Sequence, residues 1–187
     1  MLRQTTVMRM TTSDEDLATA AADGDGQAFA SLLARHYDRL FAFCFRLTDT
    51  RSDAEDLCQD ICLVLPAKLA SYQGRAKVTT WLYRVAVNAA HDRRRKRATY
   101  AKAATGWADW ETARQAEILD TAQQLDWLTH AMRSLNDDLR CTLALVLDDM
   151  THADAAQVLG VSEGTISWRV SEAKKALRHI KQSEDTE

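Results

Sequence analysis

Two charge clusters carry most of the recognisable chemistry in this 187-residue sequence. Arg93, Arg94, Arg95, Lys96 and Arg97 form a compact cation suited to a polyanion, and Asp53, Glu55, Asp56 and Asp60 form an anion cluster suited to a basic partner. Such runs assign opposite partners to opposite faces, although each also fits a solvated helix face. No catalytic constellation accompanies them: the phosphate loop GxxxxGK[ST], the zinc-protease HExxH and the nucleophile elbow GxSxG are all missing from the sequence. His36, His91, His130, His152 and His179 are scattered without a ligand partner at metal-binding spacing. Cys44, Cys58, Cys62 and Cys141 sit in apolar helical patterns, which suits reduced, buried thiols better than disulfides or zinc ligands. Only Cys58 and Cys62 share a helix face, and a redox or metal role there stays open. The reading is of a protein that is not an enzyme and needs no cofactor or metal.

The elements that position these clusters are helical. A single proline and six glycines punctuate a chain that is 46% hydrophobic, a composition favouring an all-α fold. Thr12 or Ser13 caps a first short helix, with Glu15 completing a capping box after Thr12. From Gln27, Phe29, Leu32, Leu33, Tyr37, Leu40, Cys44 and Leu47 recur at three- and four-residue steps, leaving Arg35, His36, Asp38 and Arg39 outside. Ser52 with Glu55 reads as a second capping box, opening a helix whose buried stripe is Leu57, Ile61, Val64 and Leu65, and Pro66 kinks or ends it. After a loop over residues 73–77, Thr79 or Thr80 starts a helix burying Val78, Trp81, Leu82, Val85 and Ala89, with Arg84, Asn88 and the basic run on other sides. Residues 98–118 lack a sustained apolar stripe and read as a flexible linker carrying Trp107 and Trp110, which either pack on their own domains or anchor the linker to a partner. Helical periodicity resumes at Leu119, through Leu125, Leu128, Met132, Leu135, Leu139, Leu143, Val146, Leu147 and Met150. The expected organisation is two small helical domains, 1–97 and 119–182, a linker at 98–118 and an acidic tail at 183–187.

Residues 151–177, THADAAQVLGVSEGTISWRVSEAKKAL, look like a helix-turn-helix. Thr151 caps the first helix, Gly160 takes the left-handed conformation at the turn, and Ser162 caps the second helix. Ile166, Val170, Ala173 and Leu177 fix the buried seam, so Thr165, Ser167, Trp168, Arg169, Ser171, Glu172, Lys174 and Lys175 face outward. Arginine pairs with guanine O6 and N7, hydroxyls contact bases or phosphates, and lysines neutralise the backbone, which is major-groove chemistry.

A helix-turn-helix alone serves many proteins, and the first half narrows the choice. DAEDLCQDICLVL at 53–65, followed by SYQGRAKVTTWLYRVAVNAAHDRRRKR at 71–97, resembles the second conserved region of extracytoplasmic-function sigma factors of the sigma-70 family. Residues 135–180 resemble their fourth region. The resemblance implies a subunit that binds core RNA polymerase, recognises −10 and −35 promoter elements and promotes DNA opening. It places Asp53, Glu55, Asp56, Gln59 and Asp60 on the surface that docks to the β′ clamp. It matches Tyr72, Arg75, Lys77 and Asn88, with Arg93, Arg94 and Arg95, to the −10 reader, where Tyr72 offers a ring face, Asn88 a paired hydrogen bond and the cations phosphate contacts. The outward face of the second helix then reads the −35 element. Cys62 and Pro66 stand where bulky aromatics are frequent in the family, and Glu172 stands where a basic residue is common, so the −35 sequence does not follow by analogy.

A stand-alone helix-turn-helix regulator is the competing reading, but a net charge of −3 disfavours unaided DNA binding, which relies on many cationic contacts. A helical scaffold would not need outward Arg169, Lys174 and Lys175. The implied partners are core polymerase, promoter DNA and an anti-sigma factor. Without an apolar run of about 18 residues or a signal peptide, a cytoplasmic protein with no membrane insertion is expected.

Overall fold

In the computed structural model, which describes residues 12–103 and 126–184, every regular element is a helix. They are α1 (Asp14–Ala22), α2 (Gly26–Leu47), α3 (Arg51–Leu69) and α4 (Val78–Ala103) in the first half. In the second half they are α5 (Asp126–Arg133), α6 (Asp137–Val146), α7 (His152–Leu159) and α8 (Glu163–Glu184). The linker expected at 98–118 gives way at its start to α4, which runs on to Ala103. Trp107, Trp110, Leu119 and Leu125 lie outside the described residues, as does the end of the acidic tail.

Local chemistry explains where the helices begin. Ser13, rather than Thr12, caps α1 by accepting from the Asp16 amide at 3.0 Å, while Glu15 is spent elsewhere, on the Val78 amide at the start of α4. Asp25 caps α2 through the Gln27 and Ala28 amides. Thr50, not Ser52, caps α3, its hydroxyl accepting from the Asp53 amide at 3.0 Å, and Glu55 pairs instead with Arg51 one turn back. Each cap satisfies an amide that the helix itself leaves unpaired.

Pro66 neither ends nor sharply divides α3, which continues to Leu69. The proline is exposed while Leu65 and Leu69 are buried on either side, so packing of the last turn offsets the missing N–H.

The stripe of α2 is Leu32, His36, Leu40, Phe43, Cys44 and Leu47. His36, expected outside, is buried, and its Nε2 lies 2.8 Å from Asp14 of α1. Tyr37, expected inside, is 45% exposed. In the second half, Asn136 caps α6, Thr151 caps α7 and Ser162 accepts from the Thr165 amide at 3.1 Å at the start of α8. Gly160 sits at φ 67, ψ 34, the left-handed residue of the turn, and Ile166, Val170, Ala173 and Leu177 form the buried seam. Buried side chains from both halves share one cluster, with α4 against α7 and α2 against α5 and α6, and a smaller cluster in the first half joins Leu17, Ala18, Ala28, Leu32, Leu69 and Val78.

Candidate functional site

The acidic face of α3 and the basic run of α4, expected on opposite faces, lie side by side. Arg93 reaches three carboxylates: Asp56 at 3.0 Å, Asp53 at 3.2 Å and Asp60 at 3.5 Å. Arg97 also binds Asp53. Burial pushes the Asp53 carboxyl up, but the Arg97 hydrogen bond and charge, with Thr50 and Arg93, outweigh it and hold the group below the usual carboxylate range. Burial likewise opposes the charge of Arg93, and the Asp56 and Asp53 bonds reverse the shift upward. No local sequence signal places α4 along α3 in this register; only the tertiary pairing does.

The five acidic-face residues therefore divide. Asp53 is turned in, its side chain 13% exposed, whereas Glu55, Asp56, Gln59 and Asp60 face solvent. Beside them stand two apolar side chains that sequence reasoning did not single out for the surface. Leu63 is 72% exposed, and Val64, assigned to the buried stripe, is 41% exposed. The signal was available for Leu63, because positions 56, 59, 60 and 63 share one helical face. A groove runs from here to α4, lined by Asp60, Leu63, Val64, Asn88, Asp92 and Lys96. Its mixture of apolar floor, carboxylates and amide suits a protein or nucleic-acid surface and offers no nucleophile paired with a base.

Asn88 and Arg75 are exposed. Tyr72 does not present a free ring: its hydroxyl donates to the Ala76 carbonyl at 2.7 Å and its ring leans on Trp81, centroids 5.5 Å apart. Burial raises its phenol above the ordinary value, with the Glu15 charge adding to the effect. Lys77 stays mostly exposed near Asp154 at 3.5 Å. Arg94 donates to the Leu47 carbonyl and pairs with Asp137, and Arg95 pairs with Asp92. Arg84, outside the expected set, donates to the Gln157 carbonyl of α7.

On α8, Ser167, Trp168, Ser171, Lys174 and Lys175 are exposed, Trp168 at 61%. Thr165 and Glu172 are half-buried, and Ser162 and Lys175 are their respective partners. Arg169 departs from the outward expectation: its guanidinium, 13% exposed, is drawn onto Asp138 of α6 at 2.6 Å. The outward face is thus led by an indole, not an arginine. All four cysteines are free, with Cys44 and Cys58 buried between α2 and α3, and the hydrogen bond to Cys58 and burial push the Cys44 thiol up. Among the described residues no group of three or more His, Cys, Asp or Glu side chains is placed to hold a metal, and no helix is long and apolar enough to cross a membrane.

Comparison with known proteins meets this geometry at both ends. Residues 32–100 match the family Sigma-70 region 2 and residues 125–177 match Sigma-70, region 4. The chain is 30% identical over 168 residues to the ECF RNA polymerase sigma factor SigM of Mycobacterium tuberculosis, covering 90% of this chain and 84% of that protein. It is 25% identical over 167 residues to the ECF RNA polymerase sigma factor SigW of Bacillus subtilis, covering 83% and 89%. Its fold is similar to the sigma factor RpoE of Bartonella quintana, solved in complex with the anti-sigma factor NepR, with a TM-score of 0.68 and 25% identity over 82% of this chain and 96% of that one.

Proposed function

The chain belongs to the extracytoplasmic-function sigma factors of the sigma-70 family, subunits that bind core RNA polymerase, recognise −10 and −35 promoter elements and promote DNA opening, and from this premise we propose how its residues divide the work. The observation that carries the division is the solvent-facing set on α3, where Asp56, Gln59 and Asp60 continue into exposed Leu63. Carboxylates steer a basic partner into register, and burial of the exposed Leu63 and Val64 side chains adds apolar stabilisation. This face docks on the polymerase β′ clamp. Asp53 acts behind it, holding Arg93 and Arg97 in place.

Asn88 at the α3–α4 groove and exposed Arg75 and Lys77 capture the −10 element, with Asn88 bonding a base edge and the cations holding phosphates. Tyr72 shapes that loop through Ala76 and Trp81. Extruding a base costs a few kcal/mol, which binding contacts offset, so no nucleotide hydrolysis by this chain is required. The chemistry of transcription stays with the polymerase.

On the −35 element, Trp168, Ser167 and Ser171 face base edges, and Lys174 and Lys175 the backbone. Arg169 positions α8 against α6 through Asp138. An anti-sigma factor is the regulatory partner, as NepR is for the Bartonella protein, and the chain works in the cytoplasm.

Transcription in vitro tests the reading: core polymerase with the chain must initiate at a subset of candidate promoters that core alone ignores. Asp56→Arg is expected to abolish core binding while Trp168→Ala keeps it. Equal core affinities for the two variants would contradict the division. A tight, sequence-specific gel shift by the chain alone at physiological salt would favour a stand-alone regulator instead.

A further inference from the structure

Three of the four free cysteines meet where α2 packs on α3. Cys58 of α3 stands in the middle, its sulfur hydrogen-bonded to Cys44 of α2, to Cys62 one turn along α3, and to the hydroxyl of Tyr37, two turns before Cys44 on α2. Cys44 and Cys58 are buried, Cys62 is half-buried and Tyr37 is largely exposed. Helical spacing pairs Cys58 with Cys62; the third thiol and the phenol are brought in by the packing of the two helices.

Burial among apolar side chains alone makes a core thiol inert by raising its pKa. At Cys58 the hydrogen bond from Cys44 is the largest influence, and with those from Cys62 and Tyr37 it overcomes burial and brings the thiol down to about 7. The neighbours move the other way. The Cys58 hydrogen bond and burial push Cys44 up, burial and the Cys58 charge push Cys62 up to about 11, and the Cys58 charge and burial raise the Tyr37 phenol. One sulfur therefore carries the charge, three protonated groups donate to it, and one of the donors belongs to an exposed residue. A thiolate is the form that attacks a peroxide.

We propose that Cys58 is a site of reversible oxidation by hydrogen peroxide, closing a disulfide to Cys44 that staples α2 to α3 and weakens the polymerase-docking face of α3. The Cys58 thiolate attacks one peroxide oxygen, the O–O bond breaks, and the departing hydroxide takes up the proton that the thiol had released, leaving a sulfenic acid and water. The Cys44 thiol then attacks that sulfur, the S–S bond forms as the S–O bond breaks, and the Cys44 proton leaves with the hydroxyl as a second water. Cys62 is the poorer partner for this step. Side chains at i and i+4 keep their Cβ atoms ~5–6 Å apart, and a disulfide needs ~3.5–4.5 Å, which α3 reaches only by breaking a turn. Cys44 lies on another helix, whose approach breaks none. An S–S bond of about 2 Å is shorter than a hydrogen-bonding contact between sulfurs, so closure draws α3 toward α2 in an interior with little free space. Gln59 and Leu63, next after Cys58 and Cys62, belong to the docking face and move with them. The loss of docking rests on the sigma-factor reading; the oxidation does not.

Peptide mapping of the full chain tests the site. Under denaturing conditions the reduced chain titrates four thiols, and two are expected after peroxide. Trypsin cuts after Arg39, Arg46, Arg51 and Lys68, which puts Cys44 on one peptide and Cys58 with Cys62 on another. The expected product is these two peptides joined, absent in Cys58→Ala and kept in Cys62→Ala. Core-polymerase affinity of the joined chain is expected to fall about tenfold, and a dithiol reductant restores it. Four free thiols after peroxide, or a bridge closed within the α3 peptide, overturns the site. A joined chain with undiminished core affinity overturns the switch. Should Cys58→Ala lose its far-UV helical signal, fragmentation of the joined wild-type peptides decides: a bond at Cys58 supports the site and a bond at Cys62 overturns it. If the bridge forms as expected but the reduced chain does not bind core polymerase, the sigma-factor reading fails and the oxidation site stands.

Discussion

Asp53→Asn separates a residue that builds the polymerase-facing surface from those that touch the partner. The side chain is 13% exposed and carries the hydrogen bonds of Arg93 and Arg97. Hydrogen bonds to a charged group contribute ~1.5–3 kcal/mol when buried, and exposed ion pairs only ~0.2–1. Arg93 and Arg97 are 24% and 53% exposed, asparagine keeps one acceptor oxygen, and Arg93 retains Asp56 at 3.0 Å. The expected loss is therefore about 1–2 kcal/mol, read from urea unfolding at neutral pH. Burial opposes the charge of Asp53 but its guanidinium partners prevail, so its folded pKa lies below the ordinary 3.8. Its stabilisation is full above that ordinary value and is lost as the pH falls through the lower, folded one. The gap between wild type and Asp53→Asn should then close in acid. Core-polymerase affinity, corrected for the folded fraction, should change by less than about threefold, roughly 0.65 kcal/mol. A gap that persists at the acid end, or a loss of core affinity matching that of Asp56→Arg, would refute the assignment.

Three further outcomes follow from the geometry. Gly160→Ala meets no atom within 4 Å of the added carbon, so its cost is the left-handed backbone alone, about 1–2 kcal/mol in the unfolding of the second half, and Gly160→Asn recovers part of it. Pro66→Ala places a good helix former at an exposed interior site of α3, and should stabilise by ~2 kcal/mol, the ~3 kcal/mol difference in helix preference less the entropy regained by the unfolded chain. Trp168, 61% exposed on the outward face of α8, is expected to touch a thymine methyl. Replacing −35 thymines by uracil should then weaken promoter use several-fold for the wild type and leave Trp168→Ala indifferent, measured as competition between paired templates.

The helix-turn-helix was legible because its determinants are local: a threonine cap, a glycine that turns left-handed, a serine cap and a seam repeating every three or four residues. Similar reasoning misplaced His36, although its spacing from Leu32 and Leu40 puts it on the buried stripe. Polarity suggested exposure, and the compensating carboxylate of Asp14 is 22 residues away. The choice of Thr50 over Ser52 as a cap turned on two residues of helix start that hydroxyl chemistry alone does not rank. Arg93 and Arg169 show what charge patterns leave out. Both belong to cationic patterns that suit DNA, and both are claimed by aspartates on other helices. Such pairing depends on packing register, and a linear charge pattern carries no trace of it.

The matched charges between α3 and α4 also bear on where molecules of this protein spend their time in a cell. A chromosome presents millions of decoy sites, and a protein with an unmatched basic arm is titrated by them. Here Arg93 and Arg97 are already occupied by Asp53, Asp56 and Asp60, and leaving those carboxylates for a random phosphate gains little. Pairing inside the chain thus lowers what these two arginines gain from a non-specific phosphate contact, and with it their share of the counterion release that drives unspecific DNA binding.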